Sequence, residues 1–279
     1  MDSLTQHFPT LGFLGAGNMA GALLRGTVGR GLLAPGSVWT CDIDPARRED
    51  LARELGVHAT GDASELARRT RTIVLAVKPQ VVPEALDALR GHVGGDHLLI
   101  SIAAGIPTDA LAARLGDAVR WMRVMPNTPA LVGAGAAAVA RGPRATDADA
   151  AAALALMEAV GLAVEVDERD LDAVTALSGS GPAYVFRVME ILTETAVEMG
   201  LEADVARRLT LQTVLGAARL AAESDETPKE LRRRVTSPGG TTEAALAVFA
   251  ERGLDNVLRA GLLRARDRSR ELARASNEA

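Results

Sequence analysis

The pattern of apolar and polar positions changes character once along the chain. Up to about Val166, short apolar runs alternate with amphipathic segments; beyond it no strand-like run occurs. Thr10–Gly15 (TLGFLG), Ser37–Cys41 (SVWTC), Arg71–Val77 (RTIVLAV), His97–Ile102 (HLLISI) and Val119–Met125 read as strands. RTIVLAV has no polar alternation, as expected of a parallel strand covered on both faces. Ala136–Arg141 and Gly161–Val166 read as two more strands, separated by an Ala-rich helix from about Thr146 to Val160. Past Asp167 the pattern is helical. Leu171–Leu177 is interrupted by Ser178-Gly179-Ser180-Gly181, and Pro182 suits the first turn of the next helix. That helix, to about Met199, is apolar all round, with Phe186, Val188, Ile191 and Leu192 among its residues. Helices of this kind are buried, often between subunits. Three or four further helices complete the chain. The pattern predicts a parallel α/β domain over residues 1–166 and an all-helical domain over 167–279.

The first strand runs into Gly15-Ala16-Gly17-Asn18-Met19-Ala20, which opens a helix reaching about Arg30. In this strand–turn–helix setting, G-x-G-x-x-A is a dinucleotide fingerprint and makes the first domain Rossmann-type. The first glycine permits the turn, the second lets backbone approach pyrophosphate, and Ala20 allows close helix–strand packing. Asp42 ends the second strand, near the offset at which an acid receives the adenosine ribose hydroxyls. It favours NADH and repels a 2′-phosphate. Arg47 and Arg48 follow, and a solvated helix face explains them better than phosphate binding. Ala76-Val77-Lys78 and Ala103-Ala104 end two further strands, where open α/β sheets hold ligands. Of 31 Lys plus Arg, only Lys78 and Lys229 are lysines, so Lys78 answers a need for a compact, flexible ammonium. Pro126-Asn127-Thr128-Pro129 makes a rigid turn after the fifth strand.

The stretch Val235–Leu246 (VTSPGGTTEAAL) interrupts the helical half. Ser237, Pro238, Gly239 and Gly240 cannot continue a helix, and a new apolar-periodic helix begins near Glu243. Ser237 or Thr241 is a candidate N-cap. Two glycines before a helix bring free N–H groups and a positive dipole end close to an anion such as a carboxylate. Thr241 and Thr242 add neutral hydroxyl donors.

Composition narrows the partners. A net charge of −5 gives no reason to expect nucleic acid or anionic membrane. The start, MDSLTQHFPT, lacks Lys, Arg and an apolar core, so no signal peptide is expected. The longest apolar run, Leu131–Ala140, is too short to span a bilayer. The lone Cys41 suits a reducing cytoplasm, and four scattered histidines have no metal-ligand spacing, so no metal is expected.

Six blocks together carry a resemblance: GFLGAGNMA (Gly12–Ala20), LAVKPQ (Leu75–Gln80), SIAAG (Ser101–Gly105), RVMPNTP (Arg123–Pro129), LSGSGPAY (Leu177–Tyr184) and SPGGTTEAAL (Ser237–Leu246). In these, and in their order, the chain resembles the pyrroline-5-carboxylate reductase family over almost its whole length. The resemblance implies reduction of 1-pyrroline-5-carboxylate to L-proline by NADPH or NADH, in a homodimer or larger homo-oligomer interlocked through the helical domain. It implies that Leu14, Gly15, Ala16, Gly17, Asn18 and Met19 hold pyrophosphate, and that Ala76, Val77, Lys78, Ala103 and Ala104 line the dinucleotide's path. It also implies that Gly239, Gly240, Thr241 and Thr242 meet the substrate. Thr242 then hydrogen-bonds the ring nitrogen, and Ser237 anchors the loop or touches the carboxylate, with anchoring ranked first. Asp42 departs from the family, which usually carries Ser, Asn or a neighbouring Arg there. A β-hydroxyacid dehydrogenase opens with a similar fingerprint but needs a lysine base in its helical domain, where only Lys229, in an acidic stretch, is available. A non-catalytic dinucleotide-binding assembly protein has no use for SPGGTT.

Overall fold

A computed structural model of the chain describes residues 4–277. Strands β1 (Leu11–Leu14), β2 (Val38–Cys41), β3 (His58–Thr60), β4 (Thr72–Leu75), β5 (Leu98–Ser101), β6 (Arg120–Met125), β7 (Gly135–Arg141) and β8 (Gly161–Glu165) form one sheet. Their order is β3-β2-β1-β4-β5-β6-β7-β8. Helices α1 (Asn18–Thr27), α2 (Pro45–Leu55), α3 (Ala63–Arg69), α4 (Val82–Asp87), α5 (Thr108–Leu115) and α6 (Asp147–Glu158) connect them. Buried runs along β1, β4 and β5 explain why those segments carry no polar alternation. One face packs Leu23 and Leu24 of α1 and Leu156 of α6 against Phe13, Val74 and Ile100. The other packs Leu66, Leu86 and Leu111 against Ile73, Leu99 and Trp121.

Two features depart from the sequence reading. β3 is not foreseen there, because His-Ala-Thr is short and shows no apolar run. β7 pairs antiparallel with β6, whereas the pattern predicts a parallel sheet through Val166. The connection from β6 to β7 is a turn around Thr128–Val132, which reverses the chain without the crossover that parallel pairing needs. α6 then supplies a crossover, and β8 pairs parallel with β7.

The chain divides into two compact units, Met1–Ser180 with Ala265–Ala279, and Gly181–Arg264. In the first, β8 leads into α7 (Leu171–Val174), and a π-helical turn covers Thr175–Gly179. Asn127 fixes that turn. Its Nδ2 donates to Ser178 O at 3.0 Å, and its Oδ1 accepts from Ala136 N at 2.8 Å.

The second unit consists of α8 (Gly181–Glu198), α9 (Ala203–Glu223), α10 (Pro228–Arg234), α11 (Thr241–Glu251) and the start of α12 (Leu254–Asn277). Among the described residues, its buried ones are Ala206 and Thr210 alone. The apolar helix expected to be buried, α8, leaves Phe186, Val188, Ile191 and Leu192 exposed within the single chain. The end of α12 belongs to the first unit, where Ser269 Oγ donates to Asp172 at 2.7 Å. Among the described residues no helix is long and apolar enough to cross a membrane.

Candidate active site

β1 and β4 are neighbours whose connections leave in opposite directions, and open α/β sheets bind ligands at the carboxyl ends of such a pair. Here the turn after β1 is held tight. Gly15 N donates to Cys41 O at 2.7 Å, and Ala76 N donates to Leu14 O at 2.8 Å. Gly15 has φ of 103°, and a Cβ there would sit 2.6 Å from Ala76 O, so only glycine fits. Gly17 is the N-cap of α1 and offers no side chain to its free N–H groups. A Cβ added at Gly17 meets nothing within 4 Å, so open space lies before the helix start.

That space belongs to a cleft of about 1250 Å³. It brings together Leu14, Gly15, Ala16, Gly17, Asn18, Met19, Asp42, Ala76, Val77, Lys78 and Ala104. Ala103 does not line it; it is buried beside Ala104 in the core. Lys78 is exposed, and its ammonium has no hydrogen bond or ion pair among the described residues. The cleft fits a dinucleotide: a glycine cradle, an uncapped helix start and a long wall along the strand ends.

Asp42 has a role the sequence does not reveal. Its Oδ2 accepts from Ala16 N at 2.7 Å, and its Oδ1 accepts from Asp44 N at 2.9 Å. The carboxylate thus ties the glycine-rich turn to the start of α2. Cys41 lies buried beside it; burial first, and then the Asp42 charge, push the thiol up to about 11. Sequence reasoning also missed Asp62, Glu84 and Met125, which line the same cleft. Asp62 follows the unforeseen β3 and caps α3, and Asp62 followed by Glu65 was its available signal.

In the second unit, Ser237–Gly240 is a compact turn leading into α11. Gly240 is its N-cap, in place of the expected Ser237 or Thr241, with φ of −85°. The left-handed residue is Gly239, at φ 69°. Gly240 N donates to Ser237 O at 3.0 Å, and Gly239 N donates to Glu243 Oε2 at 2.7 Å. Both glycine N–H groups are therefore taken up inside the turn. The donors left at the helix start are the N–H groups of Thr241, Thr242 and Glu243. Ser237 anchors the turn with its carbonyl rather than its hydroxyl. The hydroxyls of Ser237, Thr241 and Thr242 have no partner among the described residues, and Thr242 is half-buried.

A glycine-rich turn at the switch point of a mostly parallel sheet, beside an acid at the end of β2, defines a dinucleotide-binding Rossmann protein. Residues 10–105 match the family model described as NADP oxidoreductase coenzyme F420-dependent, and residues 168–272 match pyrroline-5-carboxylate reductase dimerisation. A pyrroline-5-carboxylate reductase of Methanosarcina acetivorans is 40% identical, over 95% of this chain and 98% of its own. The solved structure of one from Coxiella burnetii, 37% identical, superposes with a TM-score of 0.88 over 95% of this chain and 98% of that one. A Plasmodium falciparum pyrroline carboxylate reductase with NADP bound is 28% identical, with a TM-score of 0.85 over 95% and 98% of the two chains. The chain belongs to the pyrroline-5-carboxylate reductase family, and it is an NAD(P)H-dependent oxidoreductase.

Proposed function

We propose that the chain reduces 1-pyrroline-5-carboxylate to L-proline in the cytoplasm, as a homodimer or larger homo-oligomer. Residues 1–166 hold the dinucleotide, and residues 167–279 hold the substrate and the subunit interface. The observation that carries the substrate reading is the start of α11. Three free N–H groups and two unpartnered threonine hydroxyls stand at one helix N-terminus, suited to an anion beside a polar ring atom.

When bound along the β1–β4 cleft, NAD(P)H would supply the hydride. Leu14–Met19 receive the pyrophosphate, and Ala76, Val77, Lys78 and Ala104 line the path beyond it. The Thr241 and Thr242 N–H groups receive the substrate carboxylate. The substrate is a cyclic imine that takes its proton from water, and in the protonated form it accepts hydride without a strong acid from the protein. The Thr242 hydroxyl accepts a hydrogen bond from the ring N–H and sets which ring face is presented. Its pKa lies far above neutrality, so its contribution is orientation rather than proton donation. Orientation of this kind is worth several kcal/mol of barrier, up to about 7–11 in well-aligned systems.

The test is direct. Purified protein, NADH or NADPH and pyrroline-5-carboxylate should give loss of reduced-nicotinamide absorbance and a matching yield of L-proline by mass spectrometry. Absence of proline with both cofactors overturns the reading.

A further inference from the structure

One end of the dinucleotide cleft is rimmed by carboxylates. Asp42 and Asp44 stand at the end of β2 and Asp62 just after β3, and all three line the cleft. Hydrogen bonds from the Ser64 hydroxyl and backbone N–H hold the Asp62 carboxyl below its usual range. The nearby arginines do not offset this rim freely. Arg48 Nη1 donates to Asp42 O at 2.9 Å and lies 3.4 Å from Ile43 O. Arg68 sits 3.7 Å from Asp62. Arg47 alone of the three lines the cleft, and its Nε is 3.3 Å from Asp44 Oδ2.

We propose that this rim selects NADH over NADPH, and that Asp44 is a specificity-determining residue because it offsets Arg47, the cation placed to meet a 2′-phosphate. The inference rests on the dinucleotide reading of the cleft and goes beyond it by choosing between the two cofactors. A ribose 2′-hydroxyl can donate to a carboxylate. A phosphate in its place has no proton to offer one and brings close to two negative charges. Like unit charges in contact at a wet surface change an equilibrium by about fivefold, so a dianion against several carboxylates is disfavoured tenfold or more. Salt weakens such contacts, because the screening length falls to about 3 Å at 1 M.

The experiment compares NADH with NADPH in wild type, Asp44→Ser, Arg47→Ala and the double variant. Serine keeps a side-chain oxygen at the N-cap of α2, where Asp44 Oδ1 accepts from Ala46 N at 3.0 Å. Two readouts run in parallel: Kd from nicotinamide fluorescence, and kcat/KM with pyrroline-5-carboxylate. Wild type should bind NADH at least tenfold tighter, with the ratio shrinking in high salt. Asp44→Ser should move the ratio about tenfold towards NADPH. In the Arg47→Ala background the same substitution should gain less than threefold. A wild type that prefers NADPH, or an Asp44→Ser ratio that stays put, overturns the proposal. Equal gains in both backgrounds remove Arg47 from the account and overturn it as stated. The binding ratios need no turnover. A chain that prefers NADH as described but makes no proline supports this proposal while defeating the substrate reading.

Discussion

Thr242 is half-buried, its hydroxyl is unpartnered, and it follows the first residue of α11. Thr242→Val keeps the shape and removes one hydrogen-bonding group. The expected loss is about 1–3 kcal/mol in kcat/KM, with the dissociation constant of the cofactor unchanged. Thr241→Val should lose less, since its part is played mainly by the backbone N–H. A fully active Thr242→Val would take the hydroxyl out of the mechanism. Cys41 yields a pH prediction. Burial raises its folded pKa to about 11 from an ordinary value of 9.0, so the unfolded chain releases the proton first. The stability tied to this thiol is complete below pH 9 and falls as pH rises from 9 to 11. Each tenfold difference in proton affinity between the folded and unfolded chain contributes about 1.4 kcal/mol to that fall. Cys41→Ser should flatten that part of a denaturation-against-pH profile. The two groups differ in how far the sequence exposes them. The threonines stand out because a Gly-Gly break in a helical stretch is conspicuous. The hydrogen bond from Ala16 N to Asp42 is hidden, because it depends on the approach of two loops remote in sequence, whereas the bond from Asp44 N is a local turn.

At the scale of elements, the start of α11 separates two adjacent glycines. Gly239 needs its freedom, since φ of 69° costs an ordinary side chain roughly 1–2 kcal/mol. Gly240 sits in extended backbone, and an added Cβ there would lie 3.0 Å from Ser237 O. Gly239→Ala should therefore lower stability by about 1 kcal/mol in thermal unfolding, and Gly239→Asn by less, because asparagine tolerates this region better. An alanine variant as stable as wild type would show that the turn does not require the left-handed residue. Elements defined by their own residues are legible in the sequence: continuous apolar runs mark β1, β4 and β5, and Gly15–Ala20 marks the turn into α1. Elements defined by their neighbours are not. β3 is a strand because Trp39 to Cys41 pair with it, and β7 runs antiparallel because of the turn that precedes it. The π-helical turn at Thr175–Gly179 is likewise fixed from outside, by Asn127.

At the scale of the whole molecule, the unit Gly181–Arg264 buries little apolar surface within one chain. Its buried residues are Ala206 and Thr210, while Phe186, Ile191, Leu215, Phe249 and Leu258 remain exposed. Covering one such large apolar side chain is worth about 1.5–3 kcal/mol, so a second copy laid over these helices would supply the core the unit lacks. The match of residues 168–272 to a dimerisation model agrees with this reading. Ile191→Arg tests it at the middle of α8. Wild type should sediment at micromolar concentration as a dimer or larger assembly. The variant should dissociate, lose thermal stability and lose proline formation, because the helical unit loosens around the Ser237–Thr242 turn. Nicotinamide fluorescence should still report cofactor binding, since the cleft belongs to the other unit. Sulfate should strengthen the wild-type association, as it strengthens apolar burial, whereas an interface held by charge would weaken in salt. A stable, active wild-type monomer of 29.1 kDa would defeat the assembly and leave the exposed apolar helices without a physical reason.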